Sequence, residues 1–167
     1  MPLSHAILGF LEYQPMTGYD LKKYFDQSVA HFWSATQSHV YKALENLEKE
    51  GFVESQVIPQ EGKPNRKQCQ ITDTGRSELR RWVSTPLPLE PVREAALIQI
   101  FFSHFSSNEE IAALFETRMK ELRERLQTLR AVAQTAIDEN AKQIGIERAR
   151  QLWQITLDYG VDYYEFE

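Results

Sequence analysis

A single cysteine, Cys69, stands among 167 residues, so no disulfide can form within the chain and a reducing compartment is expected. The uncharged, apolar-rich stretch of residues 95–108 falls short of the roughly 18 apolar residues that a membrane span requires, and it contains His104. The first apolar run, Ala6 to Leu11, has no basic residue before it and meets Glu12 at once, unlike a secretory signal. A soluble, cytoplasmic protein without a membrane partner is therefore expected. Catalytic signatures are missing as well. His5, His31, His39 and His104 are scattered, and none lies four residues from another or beside Cys69 at a metal-ligating spacing. There is no glycine-rich phosphate loop and no nucleophile elbow. The adjacent Glu109 and Glu110 sit where a helix dipole accounts for them. These absences point to a protein that is not an enzyme and holds neither metal nor cofactor.

What is present is a globular composition, 42% hydrophobic and 26% charged, in a chain long enough for one domain with an appended piece. The net charge of −5 by itself disfavours nucleic acid, but it is unevenly placed. Residues 1–85 carry ten Lys/Arg against ten Asp/Glu, and residues 86–167 carry nine against fourteen. The whole excess of acid lies in the second half, which suggests two functional parts.

In the first part, Leu3, Ile7, Phe10 and Leu11 recur at helical spacing and Pro15 supplies a stop. Thr17, with Asp20 three residues on, forms a capping box for a second helix whose apolar face is Leu21, Tyr24 and Phe25. A third helix is expected from about Thr36 to Glu50, with Val40, Leu44 and Leu47 as its stripe and Gly51 as a left-handed cap. The period then drops to two. Phe52, Val53, Val57 and Ile58 lie in an extended run, residues 59–65 have turn chemistry, and a strand resumes from Lys67 to Thr72 with Cys69 and Ile71 on one face. Thr72 or Asp73 caps a fourth helix, and the proline-rich stretch 86–91 is a stiff connector. Three helices followed by a hairpin is the order of a winged helix-turn-helix.

The second part, residues 92–167, has a helical pattern throughout. Ser107 and Glu110 form a capping box that opens a long helix to about Glu139. Within it Ala112, Phe115, Met119, Leu122, Leu126, Leu129, Ala133 and Ala136 repeat at alternating spacings of three and four. Gly145 breaks the pattern before a last helix bearing Leu152, Trp153, Ile155, Tyr159, Tyr163 and Phe166. So long a heptad seam needs a partner helix, from this chain or from a second copy. The fold class is thus mainly α with a small β-hairpin: a winged helix-turn-helix followed by a helical dimerisation domain with a long heptad helix.

The third helix opens with Ser34, Thr36, Gln37, Ser38 and His39, continues with Tyr41 and Lys42, and keeps Glu45, Glu48 and Glu50 to its distal half. Small hydrogen-bonding side chains in the first turns are what a helix needs to read base edges in a major groove, although capping and a solvated face explain them as well. The hairpin tip adds Lys63, Asn65, Arg66 and Lys67, cations that can sit against phosphates or simply keep an edge hairpin soluble. Taken together, helix and tip point to duplex DNA.

Three stretches carry a resemblance: Thr17-Gly18-Tyr19-Asp20-Leu21, the run from Val40 through Gly51 to Val53, and Lys63-Pro64-Asn65-Arg66-Lys67 leading to residues 71–76. In order and spacing they resemble the PadR family of transcriptional regulators over nearly all of residues 3–85. The segment after Pro86 is similar, less specifically, to the helical C-terminal domain shared by PadR-like regulators and virulence activators of the AphA type. The resemblance implies a homodimer that binds a palindromic promoter site, usually as a repressor. It places Ser34, Thr36, Ser38 and His39 toward the groove, Tyr41 near the DNA backbone, and Lys63, Arg66 and Lys67 on the wing. Lys42 stands where the family often has proline, adding a candidate phosphate contact.

Dimerisation is expected through Phe115, Met119, Leu122, Leu126, Leu129, Trp153 and Gly160, the last being a glycine inside a helix that a close helix crossing would explain. Trp33, Trp153, Tyr159 and Tyr163 are candidates for an effector pocket, since regulators of this kind include sensors of aromatic or lipophilic molecules, although core packing is the favoured explanation, because aromatics at helical spacing bury large areas anyway. Two other readings remain open: a winged-helix adaptor whose heptad helix binds a different protein, and a ligand-binding or catalytic helical domain.

Overall fold

The computed structural model describes residues 2–30, 32–59, 65–89, 91 and 93–167. His31 and the tip residues 60–64, Gly62, Lys63 and Pro64 among them, lie outside the described residues. The chain packs as two units, residues 1–86 with 139–146, and residues 87–138 with 147–167.

In the first unit, helix α1 (Pro2–Tyr13) buries Ile7, Leu8 and Leu11 on one stripe. Strand β1 (Met16–Thr17) is only two residues long, and Thr17 then caps α2 (Gly18–Ser28). The Thr17 hydroxyl accepts from the Asp20 amide at 3.1 Å while the Asp20 carboxylate accepts from the Thr17 amide at 3.2 Å, completing the expected box. Helix α3 (Gln37–Lys49) buries Val40, Ala43, Leu44 and Leu47 and ends at Gly51, whose φ of +75° is the left-handed value its position demands. Strands β2 (Val53–Ile58) and β3 (Arg66–Ile71) pair antiparallel with Val53 opposite Ile71. The sheet order is β1-β3-β2, with Met16 opposite Cys69. Helix α4 (Asp73–Val83) follows, capped by the Thr72 hydroxyl, which accepts from the Gly75 amide.

The inward faces of α1, α2 and α3 and of the sheet make one core that includes Leu8, Leu21, Val40, Leu47, Cys69 and Ile71. Burial of each large side chain contributes roughly 1.5–3 kcal/mol. Two details differ from the periodicity. Val57 and Ile58 continue the strand but are exposed, because the hairpin has already run past the core there. The edge strand β1 was not expected, since two residues are too few to show a period of two.

His5 is the one buried polar residue among those described, and it ties α1 to α4. Its ring stacks on Trp82 with centroids 4.6 Å apart, and its Nε2 lies 2.9 Å from a Glu78 carboxylate oxygen. Arg81 donates two further hydrogen bonds to Glu78, at 2.7 and 2.6 Å. The hydrogen bonds from Arg81 first, and then from His5, bring the Glu78 carboxyl from 4.5 down to about 2. A carboxyl depressed in the folded state stabilises fully above its unfolded value and loses that contribution as pH falls through the folded one. Acid titration of unfolding between about pH 4.5 and 2 should therefore show wild-type stability falling more steeply than that of Glu78→Gln. Parallel curves would remove Glu78 from the acid response.

The second unit contains α5 (Ala95–Phe101), a 3₁₀ turn (Ser103–Phe105), α6 (Asn108–Ile144) as far as residue 138, and α7 (Glu147–Phe166). The Ser107–Glu110 box opens α6 as expected, with bonds of 2.8 and 3.2 Å. At the α6–α7 junction Gly145 takes φ +69°. Helix α7 then runs back along α6, with Leu129 and Ala133 buried against Leu157 and with Ile137, Val161 and Tyr164 packed around them. Gln134 bonds Gln154, Arg150 bonds Asp138 at 3.0 Å, and Arg130 bonds Glu165.

Candidate nucleic-acid interface

Thr36 has extended backbone angles, φ −77° and ψ 163°, and its hydroxyl accepts from the His39 amide at 3.3 Å, so α3 begins at Gln37. The helix thus starts where expected, near Thr36, and only Ser34, counted with its opening residues, is corrected to the segment before the cap. Two hydroxyls two residues apart are both competent caps, and the backbone selects the second. Burial of Val40, Ala43, Leu44 and Leu47 turns the opposite face outward. Gln37, Ser38, Tyr41, Lys42, Glu45 and Lys49 lie along that exposed face, and His39 is exposed beside them.

The hairpin is fastened to this helix at its root. Lys67 of β3 donates to Glu48 of α3 at 2.7 Å, and the Ser55 hydroxyl of β2 donates to the same carboxylate. Burial works against the charge of Glu48, but the bonds from Lys67 and Ser55 outweigh it and hold the carboxyl below its usual 4.5. The bond to Glu48 raises the pKa of Lys67 in turn. Behind them Ser55 Oγ lies 3.3 Å from the buried Cys69 thiol, whose pKa burial pushes up, so this cysteine is packed as an apolar side chain. Arg66 and Asn65, one step further along the hairpin, are exposed. The tip lysine, Lys63, lies outside the described residues. No spacing rule hints at the Glu48–Lys67 pair, which joins side chains 19 residues apart on different elements.

Gly18 has a specific reason to be glycine. A β-carbon there would fall 2.7 Å from Cε1 of Tyr41 and 3.0 Å from its Cζ, so the Tyr41 ring lies directly on the first turn of α2. This contact fixes an aromatic side chain that is otherwise exposed on α3. Gly18→Ala should leave thermal stability nearly unchanged, since a helical Ala is preferred to Gly, but displace the ring. If Tyr41 hydrogen-bonds the DNA backbone, losing that bond costs about 1 kcal/mol, roughly fivefold in affinity. Equal affinity of the two proteins, measured by fluorescence anisotropy, would take Tyr41 out of the interface.

The remaining sequence candidates are divided. Along the heptad stripe Leu129 is buried by α7 within the chain, Leu122 and Leu126 are half-buried, and Phe115 and Met119 are exposed. Gly160 is buried in α7. Trp153 is half-buried while Tyr159 and Tyr163 are exposed on α7, and Trp33, in the other unit, is exposed too. Among the described residues no cluster of three or more His, Cys, Asp or Glu could hold a metal ion, and no helix is long and apolar enough to cross a membrane.

Comparison with known proteins gives matches over both parts. Residues 7–81 match the model of the transcriptional regulator PadR-like family, and residues 92–167 match that of the virulence activator alpha C-term. The chain is 42% identical over 98 residues to a Mycobacterium tuberculosis protein named "Probable transcriptional regulator Rv1176c", a stretch that takes in 58% of this chain and 52% of that one. It is 32% identical over 128 residues to the negative transcriptional regulator PadR of Bacillus subtilis, covering 76% of this chain and 70% of the relative. The crystal structure of Bacillus subtilis PadR in complex with operator DNA superposes with a TM-score of 0.76 at 26% identity, over 99% of this chain and 96% of that one.

Proposed function

Since the chain belongs to the PadR-like family of transcriptional regulators, we propose that it binds operator DNA as a homodimer and represses transcription from the cytoplasm, without catalysis of its own. Residues 1–85 form the reading head, 86–91 the connector and 92–167 the dimerisation part. The observation that carries this reading is the exposed face of α3, where Gln37, Ser38, His39, Tyr41 and Lys42 are presented together, while the hairpin that bears the exposed Arg66 is fastened to the same helix through Lys67 and Glu48. The similar Bacillus subtilis protein is described in complex with operator DNA, which supports the same use here.

The parts divide the work by chemistry. Gln37, Ser38 and His39, with Ser34 and Thr36 ahead of them, offer donors and acceptors to base edges in the major groove. Tyr41 and Lys42 address the phosphates, with Asn65, Arg66 and the tip Lys63 as the wing. Lys67, already joined to Glu48, sets the angle at which the hairpin leaves α3 and keeps donors to spare for a phosphate. Two heads on a two-fold axis would meet half-sites about 10 bp apart or a multiple of that. The acidic second half repels the duplex and confines contact to the heads. Trp153, Tyr159 and Tyr163 are offered as the face at which an aromatic or lipophilic effector acts, by shifting the balance between two spacings of the heads.

A gel shift with duplex fragments from the promoter region beside the coding sequence tests the reading, with light scattering for the oligomeric state. A retarded band at low salt from a dimeric protein is expected. Failure of every duplex to bind at low salt would overturn it in favour of a protein–protein adaptor.

A further inference from the structure

Of the cations that α3 and the hairpin present, one is held by a carboxylate. Lys42, Lys49 and Arg66 are exposed and join no ion pair among the described residues. Lys67 differs. In the antiparallel register it stands opposite Val57, and by the alternation of β3 it shares a face with Cys69 and Ile71, the face that meets the core. Its ammonium is thereby turned back onto α3, where it donates to Glu48 at 2.7 Å, with Glu45 one turn earlier adding its own negative field.

Stability is a poor reason for this pair. The Lys67 side chain is 57% exposed and that of Glu48 25%, and pairs this open to water add little to folding. Burial opposes the charge of Glu48, and a neutral glutamine could still accept from the Ser55 hydroxyl. What the carboxylate changes more is the charge that the root of the hairpin shows to a duplex. An unheld lysine swings its ammonium on a flexible stem to whichever phosphate is near, in any sequence. Held on Glu48, the ammonium is compensated, and its remaining donors reach a phosphate at one position relative to α3. A duplex puts a phosphate there when base contacts seat α3 in its groove. A duplex without those contacts leaves α3 unregistered, and the phosphate is met only in passing. Taking attraction away from wrong partners raises specificity just as an added contact to the right one does.

We propose that Glu48 is a positioning residue that sets specificity through Lys67: it withholds one cation of the wing from duplexes at large and leaves it to the operator. The inference rests on the DNA-binding reading above and gives a part in it to a residue that touches no DNA.

Salt titrations by fluorescence anisotropy test it, on the tightest duplex recovered from a random library and on a scrambled duplex of the same length. Glu48→Gln should bind the scrambled duplex about eightfold more tightly at 0.1 M salt and steepen its plot of log affinity against log salt by about 0.9, the effect of one phosphate contact. The selected duplex should gain about twofold or less, because the same substitution loosens a wing contact it already has, so the ratio of the two affinities falls about fourfold. Glu48→Gln/Lys67→Met should return the scrambled duplex to the affinity of the unaltered chain. A gain that persists without Lys67 is relief of the carboxylate's own repulsion and overturns the proposal. Equal gains on both duplexes, or none on the scrambled one, overturn it as well and leave DNA binding standing. An unaltered chain that binds no duplex overturns the DNA-binding reading itself. Should Glu48→Gln fail to fold, NMR of the lysine ammonium groups in the unaltered chain decides: a Lys67 signal moved by the selected duplex and not by the scrambled one supports the proposal, and a signal moved alike by both, or by neither, overturns it.

Discussion

Replacing Lys42 and Arg66 together by alanine should weaken operator binding about 60-fold at 0.1 M salt and flatten the plot of log affinity against log salt by about 1.8, since each phosphate contact releases about 0.9 of a counterion. Both side chains are exposed, one on the outward face of α3 and one on the hairpin beyond its root. Neither contributes to the core, so the melting temperature should hold. Lys67→Met makes the informative contrast. Its ammonium is already compensated by Glu48 at 2.7 Å, so its removal should flatten the slope less than removal of Arg66, while it loosens the hairpin from α3. A salt titration by fluorescence anisotropy, on any duplex that shifts in a gel, separates these cases. An unchanged slope in the Lys42/Arg66 double variant would place the duplex elsewhere on the protein.

Gly75→Ala should be the most damaging small substitution in the reading head. An added β-carbon would stand 2.2 Å from the Phe52 carbonyl oxygen and 2.8 Å from Cγ1 of Ile71. The nearest of these is backbone, so no side-chain rotation relieves the contact and α4 must move away from the sheet. Overpacking of this kind costs about 3 kcal/mol. For a domain of this size that corresponds to roughly 12–24 °C in Tm. The control is Gly9→Ala in α1, where a β-carbon meets nothing within 4 Å and replacing a helical glycine should be neutral or stabilising. Thermal melts of the two variants that matched each other would mean that α4 does not pack on Phe52 as described.

The pair of glycines also shows why parts of this fold were legible and parts were not. Gly51 announced itself, because a glycine at the end of a helical stripe is a local signal, and so did both capping boxes, Thr17–Asp20 and Ser107–Glu110, where the partners are three residues apart. Gly75 and Gly18 are fixed by atoms distant in the chain, the Phe52 backbone and the Tyr41 ring, and no spacing rule encodes them. The same distinction runs through the candidate site. The outward face of α3 follows from its apolar stripe, but the ion pair of Lys67 with Glu48, which makes one expected wing cation a fastening of the hairpin as well, joins elements that the sequence leaves unrelated. The heptad seam was visible over its full length, yet a seam does not name its partner. Helix α7 covers Leu129 and Ala133, while Phe115 and Met119 are left exposed.

What the exposed face of α3 reads decides whether this protein is a sequence-specific regulator. Selection of bound sequences from a random duplex library, by the full-length protein at physiological salt, measures this directly. The expected product is an inverted repeat with half-sites about 10 bp apart or a multiple of that, lost when Gln37 and Ser38 are replaced by alanine. A library that emerges without an enriched repeat, or with the same repeat in the Gln37/Ser38 variant, would contradict it.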